Sequence, residues 1–405
     1  MLGTPFDAVE AGSVAFSDVN NDGSNDVLIT GQGIFEFISK LYINDGAGNF
    51  TEMMDTPFEG VRRSSIAFSD VNGDGNNDVL ITGEGITSGR ISKLYTNDGA
   101  GNFTEMMDTP FYGVWSSSIA FSDVNGDGSE DVLITGNNGD FISKLYTNDG
   151  MGNFTEMIDT PFEGVESSSV AFSDINGDGH QDVFIAGINN SLMSTSKLYI
   201  NDGIGNFTEM MDTPFADLRV STIAFSDVNN DGNNDLLISG KTSSFMEISK
   251  LYLNDGLGNF TELVGTPFAD LYGDSVAFSD VNGDSNDDLL LIGMTSSDEQ
   301  ISKLFINEGV VSTEDELRIG INLDLMLFPN PSRSSQLFID YLGTEVGLAT
   351  INLYSLNGML IKQQIEFTTE GQQLLPIDIT TLSKGNYLLE LEIGKKRGIA
   401  KFIVQ

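Results

Sequence analysis

A loop of the form Asp-x-Asn-x-Asp-Gly-x-x-Asp recurs six times in the first three quarters of this chain, and its spacing constrains the fold more than any other feature. The loops run Asp18–Asp26, Asp70–Asp78, Asp123–Asp131, Asp174–Asp182, Asp227–Asp235 and Asp280–Asp288, with Ser285 replacing the glycine in the last. Their first aspartates stand 52, 53, 51, 53 and 53 residues apart. One such loop is an ordinary Asx-rich turn. Six at a fixed period make an array of equivalent units.

Each unit reads as four short strands. In the second, Ser65–Asp70 alternates into the loop, and Asp78–Gly83 leaves it as a continuous apolar run suited to a sheet covered on both faces. Ile91–Thr96 is the third strand. The turn Asn97–Asn102 follows, then Phe103–Met107, which ends at Thr109-Pro110-Phe111. Four strands in about 50 residues predict β-propeller blades, with a β-solenoid as the competitor. The sixth unit stops after its third strand, while Leu2–Phe6 matches the tail of a fourth. That segment is expected to complete the sixth blade from the other end of the chain, unless further blades lie upstream.

The loop chemistry points to a hard cation. Calcium takes six to eight oxygen ligands, and its loops use alternate positions around a glycine bend. Positions 1, 3, 5 and 9 offer side-chain oxygens, and position 7 a backbone carbonyl. The expected ligands are Asp18, Asn20, Asp22, Ser24 and Asp26 in the first loop, then Asp70, Asn72, Asp74, Asn76 and Asp78 in the second. The next two loops supply Asp123, Asn125, Asp127, Ser129 and Asp131, and Asp174, Asn176, Asp178, His180 and Asp182. The last two supply Asp227, Asn229, Asp231, Asn233 and Asp235, and Asp280, Asn282, Asp284, Asn286 and Asp288. Up to six Ca2+ ions are expected. The alternative is a hydrated Asx turn without metal.

Charge supports this division of the chain. Residues 1–309 carry 49 acidic and 11 basic side chains, and residues 323–405 carry 8 and 7. Such acidity excludes bare nucleic acid as a partner. No apolar run is long enough to span a bilayer, so no transmembrane segment is expected. No signal peptide is visible, and Met1 aligns with the middle of a repeat, as in a truncated reading frame.

The chain has no cysteine, and its one histidine, His180, sits in a loop. Ser-His-Asp, Cys-His and His-ligated zinc sites are therefore excluded, a carboxylate pair stays open, and no enzyme is expected. Six of the 11 basic residues are a repeated strand lysine (Lys40 in the first unit). The other five, Arg62, Arg63, Arg90, Arg219 and Lys241, fall in segments that vary between units. Trp115, Tyr112 and Tyr272 fall there too. Arg and aromatic side chains are frequent binding anchors, so these eight are candidate ligand contacts on the face opposite the acidic loops. Unselected variation in solvated loops is the alternative.

Two resemblances follow from these motifs. The unit Ile66-Ala-Phe-Ser-Asp-Val-Asn-Gly-Asp-Gly, followed by Lys93-Leu-Tyr-Thr-Asn-Asp-Gly, resembles the FG-GAP/VCBS repeat family, which includes the calcium-binding blades of integrin α-subunit propellers. It implies an all-β propeller over residues 1–309 with calcium in the loops. After a polar linker at 310–322, residues 323–405 carry Phe328-Pro-Asn-Pro331, Leu353-Tyr-Ser-Leu-Asn-Gly358 and a terminal Lys401-Phe-Ile-Val. These resemble the type IX secretion (type A) sorting domain of Bacteroidetes, expected as a small Ig-like β-sandwich. It implies handling by the type IX machinery and a sortase-like peptidase, with the product secreted or on the outer cell surface. The expected function is a binding or adhesion module for a glycan or protein ligand. The alternative is the accessory propeller of a polysaccharide-degrading enzyme whose catalytic part lies upstream of Met1.

Overall fold

The computed structural model describes residues 5–268, 270–295, 300–307, 321–322, 325–330, 332, 336–343, 346–355, 360–369, 371–393 and 396–404. Its regular structure there is all strand. The chain divides into two compact units, residues 1–264 with 268–309, and residues 265–267 with 310–405. Most of the expected 310–322 linker lies outside the described residues.

The first unit holds six blades, over residues 10–52, 61–105, 115–156, 165–209, 219–262 and 272–305. In the second, strands Val61–Ser69, Asp78–Gly85, Gly89–Asn97 and Phe103–Glu105 form an antiparallel meander. The acidic loop joins the first strand to the second, and the Asn-Asp-Gly turn joins the third to the fourth. First strands of successive blades lie against one another. Blade faces bury a shared core: Leu28 and Leu41 of the first blade pack with Ile66, Val79, Ile81 and Tyr95 of the second. The continuous apolar run of the second strand is explained by this two-sided burial.

The Thr-Pro-Phe segment ties each blade to the next. Phe58, which follows the fourth strand of the first blade, sits 5.0 Å from both Tyr95 and Phe103 of the second. The same trio recurs as Phe111, Tyr146 and Phe154, and as Phe162, Tyr199 and Phe207. Phe6 likewise packs on Tyr42 and Phe50 of the first blade. Residues 1–4 of the expected closing strand lie outside the described residues, and Phe6 serves the blade that follows it. Among the described residues, the third strand of the sixth blade (Gln300–Phe305) pairs only with its own second strand.

The joint between blades takes two forms. Single bridges Ile38↔Val61, Ile91↔Val114 and Ile142↔Val165 connect the first four blades. A Cβ on the preceding residue, Gly60, would lie 2.0 Å from the Phe37 carbonyl oxygen, so only glycine permits that approach. In the fifth and sixth blades this position is Asp217 and Asp270, whose Oδ1 accepts the N–H of Ser196 and Ser249 at 3.0 and 3.1 Å. There side-chain hydrogen bonds join the blades, and the Leu218 N–H donates to Ser196 Oγ where the Val114 N–H donates to the Ile91 carbonyl.

The outer faces of the first and last blades remain exposed. Leu304 is 50% exposed where Leu41, Leu94, Leu145, Leu198 and Leu251 are 0–2% exposed. Val14 on the first blade is exposed where its equivalents Ile66, Ile119, Val170 and Ile223 are buried.

The second unit contains a five-stranded and a three-stranded sheet. Leu337, Ile339 and Ile377 from one sheet share a core with Ile351, Leu389 and Phe402 from the other, so it is a two-layer sandwich. The three-stranded sheet ends on the strand Gly371–Asp378. This strand carries Pro376 and, among the described residues, pairs only with Gln336–Gly343, an edge position where a missing N–H is tolerated.

Candidate metal loops and ligand face

All six acidic loops close on themselves through one pattern. In the second, Asp70 Oδ1 accepts the N–H groups of Gly73 and Asp74 at 2.8 and 3.1 Å, and Oδ2 accepts that of Gly75 at 2.8 Å. Asn72 Oδ1 accepts from Asp74, and Asp74 Oδ1 from Asn76, both at 2.9 Å. Backbone amides thus stabilise carboxylates that would otherwise repel one another. The amide of Ser285 and its neighbours hold Asp280 below the usual carboxylate range.

Two loop positions require left-handed backbone. Position 6 is glycine at φ near 87° in the second and fourth loops, and Ser285 adopts φ 71° in the sixth. Position 4 is also left-handed, with φ 58° at Asn21 and Asn230 and 72° at Gly73. The sequence signal was present, because position 4 holds only Gly or Asn.

Position 9, expected from its spacing as a side-chain oxygen ligand, is buried. Asp78 is fully buried; its Oδ2 accepts the Val71 N–H at 3.2 Å and its Oδ1 the Asn97 N–H at 2.8 Å. Asp26, Asp131, Asp182, Asp235 and Asp288 repeat this. Burial pushes Asp78, Asp131 and Asp182 up to about 6 and Asp235 to about 7, against the downward pull of those two amides. Among the described residues, no three His, Cys, Asp or Glu side chains are placed to hold a metal. Beside position 9, each loop keeps two carboxylates, one amide oxygen and a backbone carbonyl as donors. These all-oxygen donors suit a hard cation in type, and a carboxylate oxygen holding one N–H keeps a second lone pair. The chemistry of the donor set fits calcium.

Side chains at position 7 pack against the neighbouring Asn-Asp-Gly turn. A Cβ on Gly203 would lie 2.4 Å from the His180 ring, and one on Gly99 the same distance from Asn76 Oδ1. The acidic loop and the turn of one blade therefore lie together.

At the other ends of the strands, the eight ligand-face candidates separate. Arg62 pairs with Glu84 at 2.8 Å and lies over Phe37. Lys241 pairs with Glu247, and Lys144 lies over Tyr112. Arg219 covers Phe245 and donates to Ser194 and Leu192. The Tyr272 side chain lies outside the described residues. Three do converge: the Arg63 and Arg90 guanidinium groups lie 4.8 and 5.4 Å from the Trp115 ring centroid. The repeated strand lysines instead complete ion pairs, such as Lys93 with Glu59 and Glu105.

The FG-GAP-like repeat model matches residues 18–81, 70–134, 123–185, 174–238 and 227–291. Each span runs from one acidic loop through the next. The model of a secretion system C-terminal sorting domain matches residues 326–405. No curated protein matches the chain at a significant level. Similar solved structures include a lectin of Aleuria aurantia in complex with alpha-methyl-L-fucoside, at 12% identity over 73% of this chain and 91% of that one, TM-score 0.43. Fructan 1-exohydrolase IIa of Cichorium intybus aligns at 10% identity over 96% of this chain and 89% of its own, TM-score 0.34. With TM-scores below 0.5, neither likeness carries an argument about ligand or activity.

Proposed function

The chain belongs to the FG-GAP-like repeat family, and on that premise we propose that it is a calcium-stabilised propeller acting as a binding or adhesion module for a glycan or protein outside the cell. Its sorting domain marks it for secretion to the cell surface or beyond, and no helix among the described residues is long and apolar enough to cross a membrane. One observation carries the calcium reading. Six loops share one hydrogen-bonded form that gathers the oxygens of positions 1, 3 and 5 on loop amides around a left-handed bend.

When bound, calcium would supply counter-charge to these oxygens. The chain's own part is to hold them: the position 1 carboxylate gathers the loop amides, and the buried position 9 carboxylate anchors the loop to the third strand. The scaffold ends in variable loops, where rigid repeat proteins commonly place recognition. The absence of cysteine and the packing of the lone His180 against Gly203 support a role without turnover.

The test is thermal melting of the metal-free protein against free calcium, paired with a glycan and surface-protein binding screen of the loaded form. A melting temperature indifferent to calcium would remove the metal half of the reading. Absence of any ligand from the screen would remove the binding half.

A further inference from the structure

The repeat unit is strongly acidic, and most of its described cations are already paired. Arg62 meets Glu84, and the strand lysines Lys93, Lys144, Lys197 and Lys250 meet glutamates. Arg63 and Arg90 differ. Both are exposed, neither forms an ion pair among the described residues, and both lie over the Trp115 ring.

Three features hold them there. Arg63 occupies a bulge in the first strand of the second blade with φ 48°, an uncommon conformation for a residue other than glycine. Arg90 is the second residue of the third strand of the same blade and is fixed by a 2.8 Å bond from Nη1 to the Asn138 carbonyl of the third blade. Trp115 opens the first strand of the third blade, and its Nε1 is buried without a hydrogen-bond partner. Each guanidinium gains from the ring face, but bringing two like charges to one ring costs energy that an anion between them would recover.

We propose that Arg63 and Arg90, held on Trp115, form a subsite for a single oxyanion carried by a glycan chain, a carboxylate or a sulfate ester. This deepens the binding reading above and rests on it. A guanidinium presents paired N–H donors that match the spacing of such oxygens, and a ring-stacked one has lost part of the freedom that binding would cost. The surrounding acidity disfavours a dense polyanion. It favours a sparse one, in which hydroxylated units separate the charges.

Trp115 is the only tryptophan in the chain, so its fluorescence reports the site directly. The calcium-loaded full chain is titrated with trigalacturonate, its methyl ester, a sulfated trisaccharide and polyglutamate, by fluorescence and by calorimetry. We expect saturable binding of an acidic trisaccharide and none of the neutral ester. The galacturonate and sulfate arms distinguish the two sources of the oxyanion. Arg63→Ala and Arg90→Ala should each weaken binding by about tenfold or more, the equivalent of one charge-assisted hydrogen bond, with unshifted melting. Lys250→Ala, which removes one positive charge from the fifth blade outside the candidate ligand contacts, should leave it unchanged. Equal loss in Lys250→Ala, equal binding of the ester, preference for polyglutamate or no binding of either acidic trisaccharide overturns the proposal. A protein ligand found in the screen, with a calcium-dependent melting shift, would leave the wider function standing even then.

Discussion

Asn97 joins two acidic loops: its backbone N–H donates to Oδ1 of Asp78 at 2.8 Å, and its side-chain amide donates to the Val19 carbonyl of the preceding blade at 2.9 Å. Asn148, Asn201, Asn254 and Asn307 reach Val71, Val124, Ile175 and Val228 in the same way. Each of the first five loops is therefore tethered to the blade after it. Replacing Asn97 with Ala should cost about 2 kcal/mol, because buried polar groups lose their partners. Urea unfolding of Asn97→Ala beside Asn102→Ala, whose side chain only closes its own exposed turn, checks this. Equal costs would mean that the tether adds nothing.

Asp78 is buried beneath its loop, and both carboxylate oxygens hold backbone amides. In Asp78→Asn an amide N–H would face a backbone N–H, so about 1–3 kcal/mol should be lost even in chelator. Metal-free denaturation curves measure it. An unaffected midpoint without metal, combined with lost calcium binding, would make position 9 a ligand only.

Metal-free stability should rise as pH falls from about 8 to 5. The folded values of Asp78, Asp131 and Asp182 lie at about 6 and that of Asp235 at about 7, above the unfolded value near 3.9. The folded state therefore binds more protons across that window, and stability is lost as pH rises through the folded values. Carboxylates held low, such as Asp98 by its Asn102 hydrogen bond and Asp280 by the Ser285 amide, oppose this only at more acid pH, where they too protonate. A bound cation favours the ionised form and should flatten the slope. Calorimetry at several pH values in chelator and in calcium provides the comparison, and a metal-free melting temperature that falls from pH 8 to 5 would refute it.

Calcium at 100 times its dissociation constant should stabilise the repeat unit by about 2.7 kcal/mol for each site that binds only the folded state. Asp74→Ala should weaken its own site more than Asn76→Ala, since position 7 offers its carbonyl whatever its side chain. Calorimetric stoichiometry resolves the two. Equal effects would show that side-chain packing, not ligation, dominates the loop.

Removing residues 323–405 should leave the repeat unit folded, because its core clusters draw on blade residues alone. Fused to an export signal in a host with type IX secretion, the truncated protein should fail to reach the surface. Fractionation with surface protease treatment reads the outcome, and normal display would contradict the sorting role.

The repeat period, the four-strand unit, the loop glycines and the change of character near residue 310 were legible in the sequence, because each is local. Strand alternation and turn chemistry need only neighbouring residues, and six copies of one unit average out the noise of any single one. Tertiary structure decided the rest. Position 9 looked like one more oxygen in an acidic string, yet the third strand's Asn97 amide and the Val71 amide draw Asp78 inward. Thr-Pro-Phe read as the end of one blade, but Phe58 packs on Tyr95 of the next. Five non-repeat cations looked equivalent until packing gave Arg62 a glutamate, gave Arg219 a phenylalanine, and left Arg63 and Arg90 on one indole ring. Those outcomes depend on which blade edge meets which, and spacing along a chain carries no record of the partner that packing will bring from the next blade.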